Sequence, residues 1–251
     1  MTRYFIEVQY NGTAFHGSQI QGQQVTVQGE LNKALSRFLR RPVDTLGASR
    51  TDEGVHALCN YYHTDLDIAL DRKVLYNLNA LLPSALSVKN IYTSVDPVAN
   101  ARFDAVRRRY RYRIYFKKDP FLFERALLFP YAIDRELLHQ TAAMLREYTD
   151  FETFSKRNAQ TKTFKCTLYR SEWEAVGDEL HFVVEGNRFL RGMVRALVGT
   201  QLRAARGKFS LDGFREIIAS KDCSRADFSV PGFGLYLEEI AYPEGLLVPL
   251  A

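Results

Sequence analysis

The stretch GASRTDEGVHAL, residues 47 to 58, sets one carboxylate, Asp52, between Arg50 and His56 in a Thr-Asp-Glu-Gly turn. Aspartate is common in turns because its carboxylate accepts hydrogen bonds from nearby backbone N–H groups. A neighbouring guanidinium adds a second meaning, since it keeps a partly buried carboxylate ionised and fixes its direction. The residue types therefore fit either a well-made turn or a carboxylate aimed for nucleophilic chemistry. This stretch alone leaves both open.

Three further stretches carry groups suited to a polyanion. VRRRYRYR (106–113) interleaves five arginines with Tyr110 and Tyr112. Arginine forks grip phosphates and aromatic faces stack on bases, while strict alternation equally allows Tyr110 and Tyr112 to face a core. In NRFLRGMVRALVG (187–199), Arg188, Arg191 and Arg195 recur at helical spacing beside Leu190, Met193, Val194 and Leu197. Arg195 lies inside the apolar part, where a guanidinium needs a partner. FSKRNAQTKTFK (154–165) is polar and basic without apolar periodicity, as in a phosphate clamp or an ordinary surface loop.

Other chemistries find no support. The five histidines show no metal-ligand spacing, and no dinucleotide or phosphate-loop glycine motif is present. No Gly-x-Ser-x-Gly elbow appears. Three widely spaced cysteines suggest a reducing compartment rather than a disulfide framework. The N-terminus reads as no signal peptide, and no apolar run reaches membrane-spanning length, so a cytoplasmic protein is expected. The net charge of +5 permits an acidic partner without requiring one.

The elements that must hold these groups follow from periodicity. RYFIEVQY (3–10) alternates as a strand, 27–40 has helical apolar spacing, and strands flank the aspartate turn. Asp71 caps a helix that Pro83 ends, and 86–95 is a strand. The second half repeats the order with a strand at 108–116, a helix at 134–148 and a hairpin across Gly177-Asp178. A long helix at 189–207 and a strand at 234–242 follow. The expected fold is α/β of the α+β type, with two ferredoxin-like β-α-β-β-α-β halves, each having a sheet open on one face. The division falls between 97 and 107, giving halves 1–100 and 101–251.

The ordered motifs YNGTAFHG, SRTDEGVHA, ARFDAVRRRYRY, NRFLRGMVRALVG and PGFGLYL resemble the tRNA pseudouridine synthase A family over essentially the whole chain. The resemblance implies conversion of uridine to pseudouridine in the anticodon stem-loop of tRNA, by a homodimer with a basic cleft. It implies neither metal nor other cofactor, and no membrane. Asp52 is then the catalytic carboxylate, Tyr110 stacks on the target base and Arg195 pairs with Asp52 across the cleft. Arg50 helps extrude the uridine, and Leu235 lines the pocket. RNA contacts come from ANARF (99–103), with Arg102 and Phe103, and from the Asn158 to Lys162 loop; Arg188 and Arg191 are expected to meet phosphates.

The chain departs from the family pattern at Ser18 for tryptophan, Ser49 for glycine and Glu53 for alanine. These departures leave target choice open, so that a paralogue acting on another uridine is the first alternative. An RNA-binding protein without catalysis is the second, opposed by the presence of Asp52.

Overall fold

The computed structural model describes residues 1–71, 73–157 and 161–250, and groups the chain into two compact units. The first is Met1–Arg107 with Leu237–Ala251, and the second is Arg108–Tyr236. The expected division at 100/101 therefore falls inside the first unit, which also takes the chain from Leu237 onwards. Hydrogen bonds explain the grouping. Arg3 donates to Ala99 O at 2.7 Å, Ala101 N donates to His63 Nδ1 at 3.2 Å, and the Tyr242 hydroxyl donates to Ala101 O at 2.6 Å.

In the first unit the order is β1 (Thr2–Tyr10), α1 (Val27–Leu39), β2 (Leu46–Gly47), β3 (His56–Leu66), α2 (Lys73–Leu81) and β4 (Leu86–Ser94). β1 lies between β4 and β3, antiparallel to both, and β2 pairs with the far edge of β3. That is the ferredoxin-like strand order. A last strand, β10 (Leu247–Pro249), lengthens the sheet beside β4. Local chemistry sets the helix ends: Thr26 accepts from Gly29 N at the start of α1, and Arg40 closes it with φ 53°. Asp71 accepts from Lys73 N at 2.9 Å before α2.

The expectation of an open sheet face fails here. Ile6 and Val8 are buried, but so are Phe5 and Glu7 on the opposite face of β1. Phe5 stacks on His63 and meets Tyr242 edge-on, and Tyr61 meets the same Tyr242 ring. Segment 99–105 and Tyr242 thus cover a face that alternation alone would leave to solvent. The buried Glu7 accepts from Asn90 at 2.8 Å and Tyr92 at 2.9 Å, with Lys89 at 3.1 Å. Burial pushes its carboxyl upward, but hydrogen bonds from Asn90, Lys89 and Tyr92 outweigh that and hold it below its ordinary value.

The second unit contains most of β5 (Arg107–Tyr115), β6 (Leu127–Leu128) and α3 (Arg135–Met144). Next come β7 (Leu168–Val176), β8 (Glu179–Gly186), α4 (Met193–Ala205), α5 (Leu211–Ala219) and the first residues of β9 (Leu235–Ala241). β8 pairs antiparallel with β5 and β7, and β6 pairs parallel with β5. Gly177, at φ 58°, makes the expected hairpin turn possible. The long helix expected over 189–207 starts later, at Met193. Gly192 adopts φ 73°, a left-handed conformation that cannot continue a helix from 189. α5 is an additional helix, capped by Ser210, that the expected pattern lacked.

The alternation in β5 resolves cleanly. Tyr110, Tyr112 and Ile114 are buried, while the odd-numbered arginines meet acidic or imidazole partners in the same unit. Arg109 pairs with Glu185 at 3.1 Å, Arg113 with Glu179 at 2.6 Å, and Arg111 lies 3.1 Å from His181. These side chains already have partners in their own unit, so of the two readings left open the geometry favours tyrosines that face a core.

Glu7→Gln should destabilise the fold by about 1–3 kcal/mol at neutral pH, because an amide N–H would face donors in a buried site. The wild-type carboxyl is depressed, so its stabilisation is present above the ordinary carboxylate range and is lost as pH falls through the lowered value. Urea unfolding of both proteins should therefore give midpoints that converge on acidification.

Candidate active site

The Asp52 loop is held almost entirely by its backbone. Ser18 N donates to Thr51 O at 3.0 Å, and Thr51 N donates to Ser18 Oγ at 2.8 Å. The Tyr10 hydroxyl lies 2.8 Å from Thr51 Oγ1, and fully buried Asn60 donates to that hydroxyl at 3.2 Å and to Ser49 O at 3.0 Å. Val55 N donates to Asp52 O at 3.2 Å, closing a turn whose Gly54 has φ 78°. Gly12 N donates to His56 Nδ1 at 3.1 Å, so that ring nitrogen is an acceptor. A Cβ on Gly12 would lie 2.0 Å from Val55 O, so only glycine permits this approach.

The result is a half-buried Asp52 on a loop that cannot shift independently of β1 and β3, with exposed Arg50 beside it. Holding a carboxylate this way favours chemistry that needs a fixed direction of attack. His56 thereby helps to position the loop.

In the second unit, Tyr110 is 7% exposed and meets the Phe189 ring edge-on at 5.1 Å. Arg195 is half-buried in the first turn of α4, donating from Nε to Val230 O at 2.7 Å and from Nη2 to Phe228 O at 3.2 Å. Carbonyls thus accept two N–H bonds of a residue expected to need a carboxylate. The segment they belong to is fixed further: Asp227 N donates to Thr200 Oγ1 at 3.0 Å, and Tyr112 donates to Pro231 O at 2.9 Å. A Cβ on Gly234 would fall 2.6 Å from the Tyr112 ring. PGFGLYL is therefore a packed turn that sets buried Leu235 at the start of β9.

The basic positions gather locally, though not as a helical stripe. Lys156 N donates to Arg191 O at 3.0 Å, and Arg188 donates to Thr161 at 3.4 Å. Exposed Lys162 and Arg191 belong to the same loop pair. Asn158 lies outside the described residues. Arg102 and Phe103 project from a turn in the first unit, with the Arg102 guanidinium 5.4 Å from the Phe103 ring centroid.

A sequence model of the tRNA pseudouridine synthase family matches residues 148–243. The chain is 43% identical over 248 residues to tRNA pseudouridine synthase A of Parabacteroides distasonis, covering 98% of both proteins. It is 43% identical over 250 residues to the corresponding protein of Bacteroides thetaiotaomicron, with 98% of this chain and 93% of the relative covered. Identity to the Staphylococcus aureus protein is 33% over 249 residues, with coverage of 98% and 94%. The chain belongs to the tRNA pseudouridine synthase A family.

Membership gives the loop's supports added meaning. Among the described residues, no helix is long and apolar enough to cross a membrane. Cys59, Cys166 and Cys223 are free, and burial pushes the first two thiols up to about 11, which keeps them protonated and inert. Ser18, recognised in the sequence only as a departure from the family pattern, is 2% exposed and braces Thr51 from both sides. Tyr10 and Asn60 were missed as supports. The cue was available, since an asparagine inside the apolar strand ALCNYYH must find buried partners.

Ser18→Ala should leave a buried Thr51 N–H without its acceptor, costing about 1–3 kcal/mol and loosening the Asp52 loop. Unfolding measurements and turnover on tRNA should both fall, whereas Ser18→Thr, which keeps the hydroxyl, should lose less of each.

Proposed function

We propose that this protein isomerises uridine to pseudouridine in the anticodon stem-loop of tRNA, at one or more of positions 38, 39 and 40, with Asp52 as nucleophile. The observation that carries this reading is the clamped Asp52 loop: Ser18 and Tyr10 hold Thr51, Asn60 holds Ser49, and the carboxylate that follows them in the chain is flanked by Arg50. Family membership supplies the substrate class.

The reaction breaks the C1′–N1 bond, turns the base and joins C1′ to C5. The proton leaving C5 balances the proton gained at N1, so nothing is oxidised and no atom is lost. An ionised carboxylate suits attack on a sugar or base, much as carboxylates act on glycosidic bonds. Extrusion of the uridine from its stack costs a few kcal/mol, which Tyr110 stacking and Arg50 contacts offset in this proposal. Arg195 acts with Asp52 in the chemical step in this proposal, and Leu235 lines the pocket for the base. Phosphate contacts come from Arg102, Lys156, Lys162, Arg188 and Arg191 in this proposal, and Phe103 and Asn158 are further RNA-binding residues. The protein works as a cytoplasmic homodimer, a reading to which the free cysteines lend support as to compartment.

Asp52→Asn should bind tRNA with near-wild-type affinity and form no pseudouridine. Wild-type yield from that variant would exclude Asp52 as nucleophile and favour another group. Mapping pseudouridines in total tRNA from cells with and without the gene tests the positions directly.

Binding should weaken steeply with salt, and neutralising Arg191 or Lys162 should each reduce the log–log slope by about one. Titration at several salt concentrations reads this, and a salt-independent affinity would contradict phosphate contacts.

A further inference from the structure

A cavity of about 150 Å³ opens beside the Asp52 loop within the first unit, lined among others by Ser18, Ser49, Arg50, Tyr62, Arg102 and Phe103. Its floor is the fully buried Tyr62 ring, against which Gly47 sits so closely that a Cβ would lie 2.9 Å from a ring carbon. Tyr62 also donates to Ser18 O at 3.3 Å, which ties the floor to the clamp on the catalytic loop. One wall is Leu46, 60% exposed, and another is Phe103, 75% exposed.

An exposed phenylalanine is unremarkable on a mobile tip, but this one is on an anchored turn. Asn100 Oδ1 accepts from Arg102 N at 2.9 Å and from Phe103 N at 3.3 Å, while Asn100 N donates to Asp104 at 2.6 Å. Ala99 and Ala101 on the same turn are 1% and 0% exposed, locked to Arg3, His63 and Tyr242. The backbone is buried so that two side chains, one cationic and one aromatic, can stand outward together. A flat apolar ring, a guanidinium above it and a slot with polar walls match the needs of an unpaired nucleobase and its phosphate.

Position relative to Asp52 selects the occupant. Arg50 lines the cavity and stands two residues from Asp52, so their Cα atoms are at most about 7 Å apart. That is the scale of one nucleotide step along a single strand, so the cavity is within reach of a neighbour of the nucleotide at Asp52. We propose that this cavity is a second base site, which takes the nucleobase adjacent to the target uridine and stacks it on Phe103 while Arg102 meets its phosphate. The proposal rests on the activity assigned above and adds a determinant of which uridine is chosen. Ser18 and Ser49, two of the three positions that depart from the family pattern, lie on the wall of this cavity. These two departures thus bear on the shape of the slot, and Ser18 also braces the loop that carries Asp52.

The test uses anticodon stem-loops with 2-aminopurine, or an abasic nucleotide, immediately before or after the target. With Asp52→Asn protein, which holds substrate without turnover, 2-aminopurine on one side should lose fluorescence several-fold on binding, and adding Phe103→Ala should restore it. In active protein, Phe103→Ala and the cavity-filling Leu46→Trp should each raise KM about tenfold with kcat nearly unchanged. An abasic nucleotide at the responsive position should raise the wild-type KM as much, and Phe103→Ala should then add nothing further. Equal losses from Phe103→Ala on intact and abasic RNA would overturn the proposal. So would a fluorescence response confined to the target position. If the wild type forms no pseudouridine on any tRNA, the assigned activity fails instead, and the fluorescence arm still decides whether a flanking base enters the cavity.

Discussion

The first unit turns on one residue, Thr51, whose backbone N–H and C=O are both engaged by Ser18. Beneath it, the Tyr10 hydroxyl, Thr51 Oγ1 and Asn60 form a buried polar group in which each hydrogen bond relies on the others. A hydrogen bond of this kind contributes only about 1 kcal/mol net, but breaking one with its partner left buried costs about 1–3 kcal/mol. That asymmetry makes the loop stiff without making the protein unusually stable. Gly12 adds a steric side to the same constraint, because its missing Cβ lets the backbone approach Val55 O. Direction at Asp52 and the slot beside Arg50 both inherit their precision from this arrangement.

The second unit solves a similar problem with different materials. α4 supplies Arg195 and Thr200, which hold carbonyls and an N–H of the 227–230 segment, and β5 supplies Tyr112, which holds Pro231. Gly199 and Gly234 allow the close contacts, at Asp227 and Tyr112 respectively. Arg195 therefore has a mechanical duty besides any it has in the reaction. A change there disturbs the turn that leads to Leu235, and a loss of activity would carry both causes.

Periodicity made the element order legible because strands and helices here bury clear apolar stripes, as in Val27, Leu31, Ala34 and Leu35 of α1. It was weaker at tertiary features. Alternation in β1 marked Ile6 and Val8 but not Phe5 and Glu7, whose cover comes from residues about a hundred and more than two hundred positions away. The apolar run at 189–192 resembled helix, and only the left-handed Gly192 shows why it is not. Asp52, Tyr110 and Arg195 stand out by motif, whereas Ser18 and Tyr10 act through long-range contacts to Thr51 that no local pattern encodes, and Asn60 is signalled only as a polar residue inside an apolar strand. Such supports become visible only when the strands that carry them are side by side.

The arginines of β5 have an electrostatic consequence. RRRYRYR holds five of the chain's basic residues in a seven-residue run, yet Glu239, Glu185 and Glu179 sit against Arg107, Arg109 and Arg113. At a distance of a Debye length, about 8–10 Å in ordinary buffers, each such pair looks nearly neutral. The strand then contributes less to the field felt by an approaching polyanion than its arginine count suggests, and exposed loop residues such as Arg50, Arg102, Lys162 and Arg191 contribute relatively more. The chain's isoelectric point is consequently a poor guide to where nucleic acid is drawn: three of the five arginines in its densest basic run are already matched by carboxylates.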